Sequence, residues 1–200
     1  MLSANCQVLN AKHQMPVADL ILETERLTLR RLHPDDADAI FAVLGDAIAM
    51  QHYPRRFTRK DAEEWIERNL RRYAEHGHGL YAVVLKASGE VIGDCGLVTQ
   101  QIEGRPELEV GYHLRRDQWG HGYATEAARA CMDYAFRELA AVKVVSLIRP
   151  ENLPSRRVAG RNGMRVERQV MHSGMMHLMY ATCKPSAEER RSGRKLTADS

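Results

Sequence analysis

Hydrophobic and polar positions recur with regular periods along most of the chain, and the periods divide it into elements. Over 20–32 (LILETERLTLRRL), Leu27 and Leu29 fall on alternate positions with Arg31 in step, which predicts a strand. In HPDDADAIFAVLG, Pro34 followed by Asp35 and Asp36 marks a helix start. Ala37, Ile40, Phe41 and Leu44 then form one helical face, and Gly45 ends it. The next helix has the clearest period, with Ala62, Trp65, Ile66, Asn69, Leu70 and Tyr73 on one face. Thr58 and Asp61 form a capping box at its start, and Gly77 closes it. Glu64–Arg68 and Glu67–Arg71 are spaced to pair on its outer face.

Residues 80–98 (LYAVVLKASGEVIGDCGLV) are two β-rich runs around Ser88-Gly89, a hairpin. A 99–107 loop leads to the strand ELEVGYHL (107–114). After DQWGHGYATEA (117–127), Ala127, Ala130, Cys131, Tyr134 and Ala135 mark a helix face, opposite Glu126, Arg129, Asp133 and Arg137. KVVSLI (143–148) reads as a buried strand and PSRRVAGRNG (154–163) as a short helix closed by glycine. MRVERQVM and MMHLMYATC form a closing hairpin through Ser173-Gly174. The order is strand, two helices, three strands, helix, strand, short helix, two strands, which predicts an α/β (α+β) domain around one mixed sheet. The folded region spans 18–183, between a polar arm at 1–17 and a charged, disordered tail at 184–200.

The 200 residues suit one domain of ordinary globular composition, 44% hydrophobic and 28% charged. A formal charge of +3 permits an anionic ligand. It does not point to nucleic acid, because the basic residues form no single stripe with aromatics. Cys6, Cys95, Cys131 and Cys183 are scattered without a CxxC pair, which reads as reduced thiols rather than a disulfide framework or a zinc site. No apolar run approaches the roughly 18–20 residues that span a bilayer. The first residues carry no basic-then-apolar signal. The expectation is a cytoplasmic protein without a membrane partner. His76 and His78 flank a glycine, and His172 and His177 bracket the last hairpin. None sits in a metal-ligand spacing, so no metal is expected. His172 and His177 read as surface histidines, with a place on the substrate side as the alternative.

The stretch DQWGHGYATEA carries Gly120 and Gly122 between a strand and a helix. A phosphate cradle is one reading, since a helix start offers unpaired N–H groups and glycines let an anion approach. A dinucleotide fingerprint fails, because Thr125 stands where the third small residue belongs and the turn follows the wrong strand. A tight turn without a ligand is the remaining reading.

Three ordered motifs bear on that choice: Glu-Val-Gly-Tyr from Glu109, Trp-Gly-His-Gly-Tyr-Ala-Thr-Glu-Ala from Trp119, and Pro-Glu-Asn-Leu-Pro-Ser from Pro150. In this order and spacing the chain resembles the GNAT superfamily of acetyl-CoA-dependent N-acetyltransferases, and more closely its RimJ/RimL-like branch. The resemblance runs from about Leu22 to Tyr180 and is strongest over 107–167. It implies a single, mostly antiparallel mixed sheet flanked by helices. It also implies acetyl-CoA as acyl donor, a primary amine as acceptor, and no covalent enzyme intermediate; a homodimer is compatible with it.

On the same resemblance, backbone groups of Gly120, His121, Gly122, Tyr123, Ala124 and Thr125 hold the CoA pyrophosphate, with Trp119 at the start of the motif. The strand ending at Leu114 pairs with the pantetheine arm, and Asn152 contacts that arm. A core-packing tryptophan and a loop-turn asparagine are the bland alternatives for Trp119 and Asn152. Glu109 is the expected base, with Glu107 on the same strand face as runner-up. Many members carry a tyrosine where Ala159 stands here, so Ser155 is expected to stabilise the departing thiolate, unless it merely caps its helix. The acceptor wall is expected from 45–57, the 99–107 loop and 171–177. An acyl-CoA-binding module without catalysis is the alternative function.

Overall fold

A computed structural model describes residues 19–184. The arm expected at 1–17, and the tail expected at 184–200 apart from Lys184, lie outside the described residues. The elements are β1 (Leu20–Glu23), β2 (Leu27–Arg30), α1 (Ala37–Leu44), α2 (Arg59–His76), β3 (Leu80–Leu85), β4 (Val91–Ile102) and β5 (Arg105–Leu114). They continue with α3 (Tyr123–Arg137), β6 (Lys143–Ile148), α4 (Leu153–Arg161), β7 (Arg165–His172) and β8 (Met175–Cys183). The strands form one sheet in the order β1-β2-β3-β4-β5-β6-β8-β7. Every neighbouring pair is antiparallel except β5 and β6, which run parallel.

Side chains alternate across the sheet, as the period of a strand requires. Along β3, Tyr81 and Val83 enter the core that includes α3, while Ala82 and Val84 enter the core that includes α1 and α2. Small residues let α3 lie close on β4 and β5: Ala127, Ala128, Cys131 and Ala135 are at most 1% exposed. Burying each large aliphatic side chain, Leu27, Leu29 and Ile66 among them, contributes about 1.5–3 kcal/mol.

The segment 20–32 is a hairpin of two strands rather than one. Thr24 N donates to Leu27 O at 2.9 Å and Leu27 N to Thr24 Oγ1 at 3.0 Å, a turn made without glycine or proline. The expected 99–107 loop is also strand. Glu103 and Gly104 take φ of 50° and 78°, the pair of positive angles of a two-residue hairpin turn, and the ladder runs on from Ile102 to Arg105. The capping box on α2 forms as expected, with Thr58 Oγ1 accepting from Asp61 N and the Asp61 carboxylate from Thr58 N. The outer-face pairs differ. Arg59 meets Glu63, and Lys60 reaches Glu64 at 3.9 Å, while Arg68 turns to lie over the Trp65 ring at 5.2 Å. Leu70 stays exposed. On α3 the buried surface is wider than expected and takes in Ala128, Met132 and Phe136, because the helix touches β1, β2, β4, β5, β6 and α4.

Candidate active site

A cleft of about 950 Å³ opens where β5 and β6 separate. Only Glu109 and Val145 are in ladder register between these strands. Beyond them, Leu147 N donates to the Glu109 carboxylate at 2.9 Å instead of to a β5 carbonyl. Burial pushes the Glu109 carboxyl above its ordinary value, against the lowering pull of the Leu147 N–H, Gln100, His172 and His113.

At one end of the cleft the chain leaves β5 at Leu114 and reaches α3 through the glycine turn. Gly120 and Gly122 both hold φ of 84°, a left-handed conformation that glycine adopts without strain. Gly122 is the N-cap of α3 and offers no side chain, so no side-chain acceptor caps the helix there. Among the described residues, Thr125 Oγ1 in the first turn is buried without a hydrogen-bond partner, and Thr125 lines the cleft. Uncapped N–H groups beside an orphaned hydroxyl are the donor set that an anionic pyrophosphate would satisfy, so these residues fit the cofactor that the motif implies.

The β1–β2 turn braces this cradle from behind. Arg26 Nη1 donates to His121 O at 2.9 Å, Arg26 Nε to Glu126 Oε2 at 2.7 Å, and the guanidinium lies 4.6 Å from the Tyr123 ring centre. Thr24 Oγ1 and Arg26 N both donate to Glu126 Oε1. Trp119 is 39% exposed, so it is not a core residue; its indole N–H donates to Leu114 O at 2.8 Å and ties the strand end to the turn.

The structure brings Glu109, Leu114, Trp119, Gly120, Gly122, Tyr123, Ala124, Thr125, Asn152 and Ser155 to the walls of this one cleft. His121 stands outside it, stacked on Tyr123 at 5.6 Å between ring centres. Glu107 does not line it either, being paired with Lys143 at 2.8 Å. The capping alternative for Ser155 is corrected: Asn152 is the N-cap of α4, and its Oδ1 accepts Ser155 N at 3.1 Å. Asn152 is thus a cap rather than a loop-turn residue. Ala159 is buried in the core beneath α4.

Away from the glycine turn, 48–55 and Phe57, Gln100 of β4, and His172, Ser173, Met175 and His177 line the cleft, the segments from which the acceptor wall is expected. His172 and His177 therefore line the cleft instead of the outer surface, with His177 Nδ1 2.9 Å from Met175 O. Sequence reasoning missed a polar chain here. Trp65 Nε1 donates to Asp94 Oδ2 at 2.7 Å, Asp94 Oδ1 lies 2.7 Å from His113 Nδ1, and His113 Nε2 lies 2.5 Å from Tyr53 Oη. Asp94 and His113 are direct cross-strand partners in the β4–β5 ladder. The Glu103-Gly104 turn was the signal that fixes that register. Among the described residues no group of His, Cys, Asp and Glu is arranged to hold a metal ion.

The comparisons with known proteins agree with this geometry. The acetyltransferase (GNAT) domain family matches residues 26–165, and the chain belongs to that family. It is 39% identical over 150 residues to the uncharacterized protein YkkB of Bacillus subtilis (strain 168), covering 74% of this chain and 87% of that protein. An acetyltransferase structure from Agrobacterium tumefaciens str. C58 superposes with a TM-score of 0.70 at 30% identity, over 80% of this chain and 92% of that one. The fold is also that of RimL, the ribosomal L7/L12 α-N-protein acetyltransferase, in its complex with coenzyme A. That match has a TM-score of 0.68 at 20% identity, over 82% of this chain and 98% of that one. Among the described residues no helix is long and apolar enough to cross a membrane.

Proposed function

We propose that the protein transfers an acetyl group from acetyl-CoA to a primary amine, such as a protein N-terminus, an amino acid or a small amine, by direct attack in a ternary complex. One observation carries this reading. The uncapped start of α3, with the Thr125 hydroxyl that has no partner among the described residues, and the half-buried Glu109 carboxylate line the same cleft. Backbone groups of Gly120 to Thr125 would hold the pyrophosphate, and the open β5 edge at Leu114, with Asn152, the pantetheine arm. Acetyl-CoA, when bound, supplies an acyl carbon already activated as a thioester.

The chain's residues do the rest. The Glu109 carboxylate attracts and orients the acceptor's ammonium beside the group that takes its proton. The Ser155 hydroxyl donates a hydrogen bond to the departing thiolate. Holding both reactants in one cleft replaces a bimolecular encounter by a positioned one.

An amine panel incubated with acetyl-CoA, with free thiol and acetylated product as readouts, tests the reading. Acetylated amine with stoichiometric thiol is expected. Tight acetyl-CoA binding by calorimetry without product from any amine would overturn it in favour of a non-catalytic acyl-CoA-binding module.

A further inference from the structure

We propose that Tyr53, His113 and Asp94 form the path by which the acceptor's proton leaves the cleft, with His113 as the base that receives it. This rests on the acetyltransferase reading above.

The three side chains are a continuous chain from interior to cleft. Exposure rises from 1% at Asp94 through 12% at the His113 side chain to 39% at Tyr53. The partners fix the hydrogens. A carboxylate only accepts, so the His113 Nδ1 beside Asp94 carries the hydrogen. In the neutral ring Nε2 is then an acceptor, and Tyr53 Oη must donate to it. With its only hydrogen committed inward, Tyr53 turns lone pairs toward the cleft, which suits the N–H of an ammonium.

Proton transfer along the chain balances. The acceptor's N–H bond breaks as a new Oη–H bond forms on Tyr53. The original Tyr53 Oη–H breaks as Nε2–H forms on His113. Tyrosine stays neutral, the amine gains its lone pair, and the added charge rests on an imidazolium beside Asp94. After turnover the proton returns to solvent by the same route.

A merely structural network would not need the exposed end. Asp94 already receives Trp65 Nε1 on Oδ2, yet it commits its other oxygen to His113. The surroundings favour the charged ring. Burial opposes the His113 cation, but the Asp94 charge and hydrogen bond, then the Glu109 charge, outweigh it and hold the pKa above the ordinary value of 6.5. The groups facing the pair are Asp94 from β4, Glu109 from β5, Tyr53 from the segment after α1 and Arg72 from α2, whose own cation is disfavoured by burial and by Arg68. Desolvation at its hydroxyl end, with the Glu109 and Asp94 charges, pushes the Tyr53 phenol up although the rest of the ring is exposed, so it relays a proton without becoming phenolate. An imidazole whose pKa is raised also matches an ammonium better than an ordinary carboxylate does.

The test joins ring nitrogen-15 NMR of His113 with steady-state kinetics. The panel is the twenty amino acids, tetrapeptides beginning with Ala, Ser or Met, and a set of small primary amines. The neutral ring is expected in its Nδ1–H form, titrating above 6.5, and Asp94→Asn is expected to lower that value. Tyr53→Phe and His113→Gln should each cut kcat at pH 7 by at least tenfold, and the double variant no further than either single one. Acetyl-CoA affinity should stay within twofold, and the losses should shrink as pH approaches the amine's own pKa. An Nε2–H tautomer would overturn the path whatever the kinetics. So would wild-type kcat at every pH in folded Tyr53→Phe. A wild type that acetylates no member of the panel while the ring is Nδ1–H would overturn the acetyltransferase reading, and the path with it. The tautomer thus tells the two failures apart.

Discussion

Asn152 Oδ1 accepts the backbone N–H of Ser155 at 3.1 Å, so the cap of α4 belongs to Asn152 and the Ser155 hydroxyl is free of that duty. Stability and chemistry should therefore divide between two neighbouring residues. Asn152→Ala is expected to cost about 1 kcal/mol of stability, and Asn152→Asp to restore most of it. Ser155→Ala should leave the melting temperature within about 1 °C and lower the single-turnover rate several-fold. A Ser155→Ala protein with wild-type chemistry would remove the hydroxyl from the mechanism.

Gly122→Val should weaken acetyl-CoA binding at least tenfold by calorimetry. Its φ of 84° strains any branched residue, and a Cβ there would stand 3.4 Å from Arg26 Nη2, which braces the cradle. Gly77→Val is the control, with φ of 74° and nothing within 4 Å of the added carbon. It carries similar strain at the end of α2 and should leave affinity unchanged. Equal loss in both variants would mean strain alone, and no cradle.

Glu126 predicts an acid-sensitive brace. Burial raises its pKa, but the hydrogen bonds from Thr24, Arg26 N and the Arg26 side chain, with the Arg26 charge, outweigh burial and hold it below 4.5. A depressed carboxylate pKa adds stability that is complete above the unfolded value and lost as pH falls through the folded value. The wild type should melt above Glu126→Gln by a constant margin at pH 6–8, and the margin should shrink below about pH 4.5. A margin independent of pH would show that the ionised form is not the one Arg26 holds.

Glu109→Gln should lower kcat at pH 7 by roughly tenfold while acetyl-CoA affinity changes less than twofold. Glutamine keeps an oxygen for Leu147 N, so the β5–β6 junction survives and the charge alone is removed. Loss of the Glu109 charge should also move the rising limb of the pH–rate profile lower, since that charge helps hold the His113 pKa up. An unmoved limb would uncouple the two residues.

Local chemistry made much of the fold legible. The capping box of Thr58 and Asp61, the Ser88-Gly89 hairpin and the glycine that closes α2 depend on residues within a few positions of each other. The turn at Thr24 was hidden because a threonine side chain replaces the usual glycine. Half of the α3 core was missed because the helix packs on several elements, and a single-face pattern cannot show that. The glycine cradle was legible because its backbone angles demand glycine. The His113 chain was not, because Asp94 lies 19 positions from His113 and Tyr53 lies 60 from it, so only the folded register joins them.

The single register pair between β5 and β6 leaves a pair of strand edges facing one another in the middle of the sheet. At the rim of a sheet such an edge would template another polypeptide and invite aggregation. Here it is fenced by β4 on one side and β8 on the other, so only a narrow extended molecule can slot into it. The halves β1–β5 and β6–β8 meet at that one register pair, at the Glu109–Leu147 bond and through α3, which packs against strands of both. A molecule lodged in the seam would act as a missing strand, so the protein would be most completely folded when it is about to work.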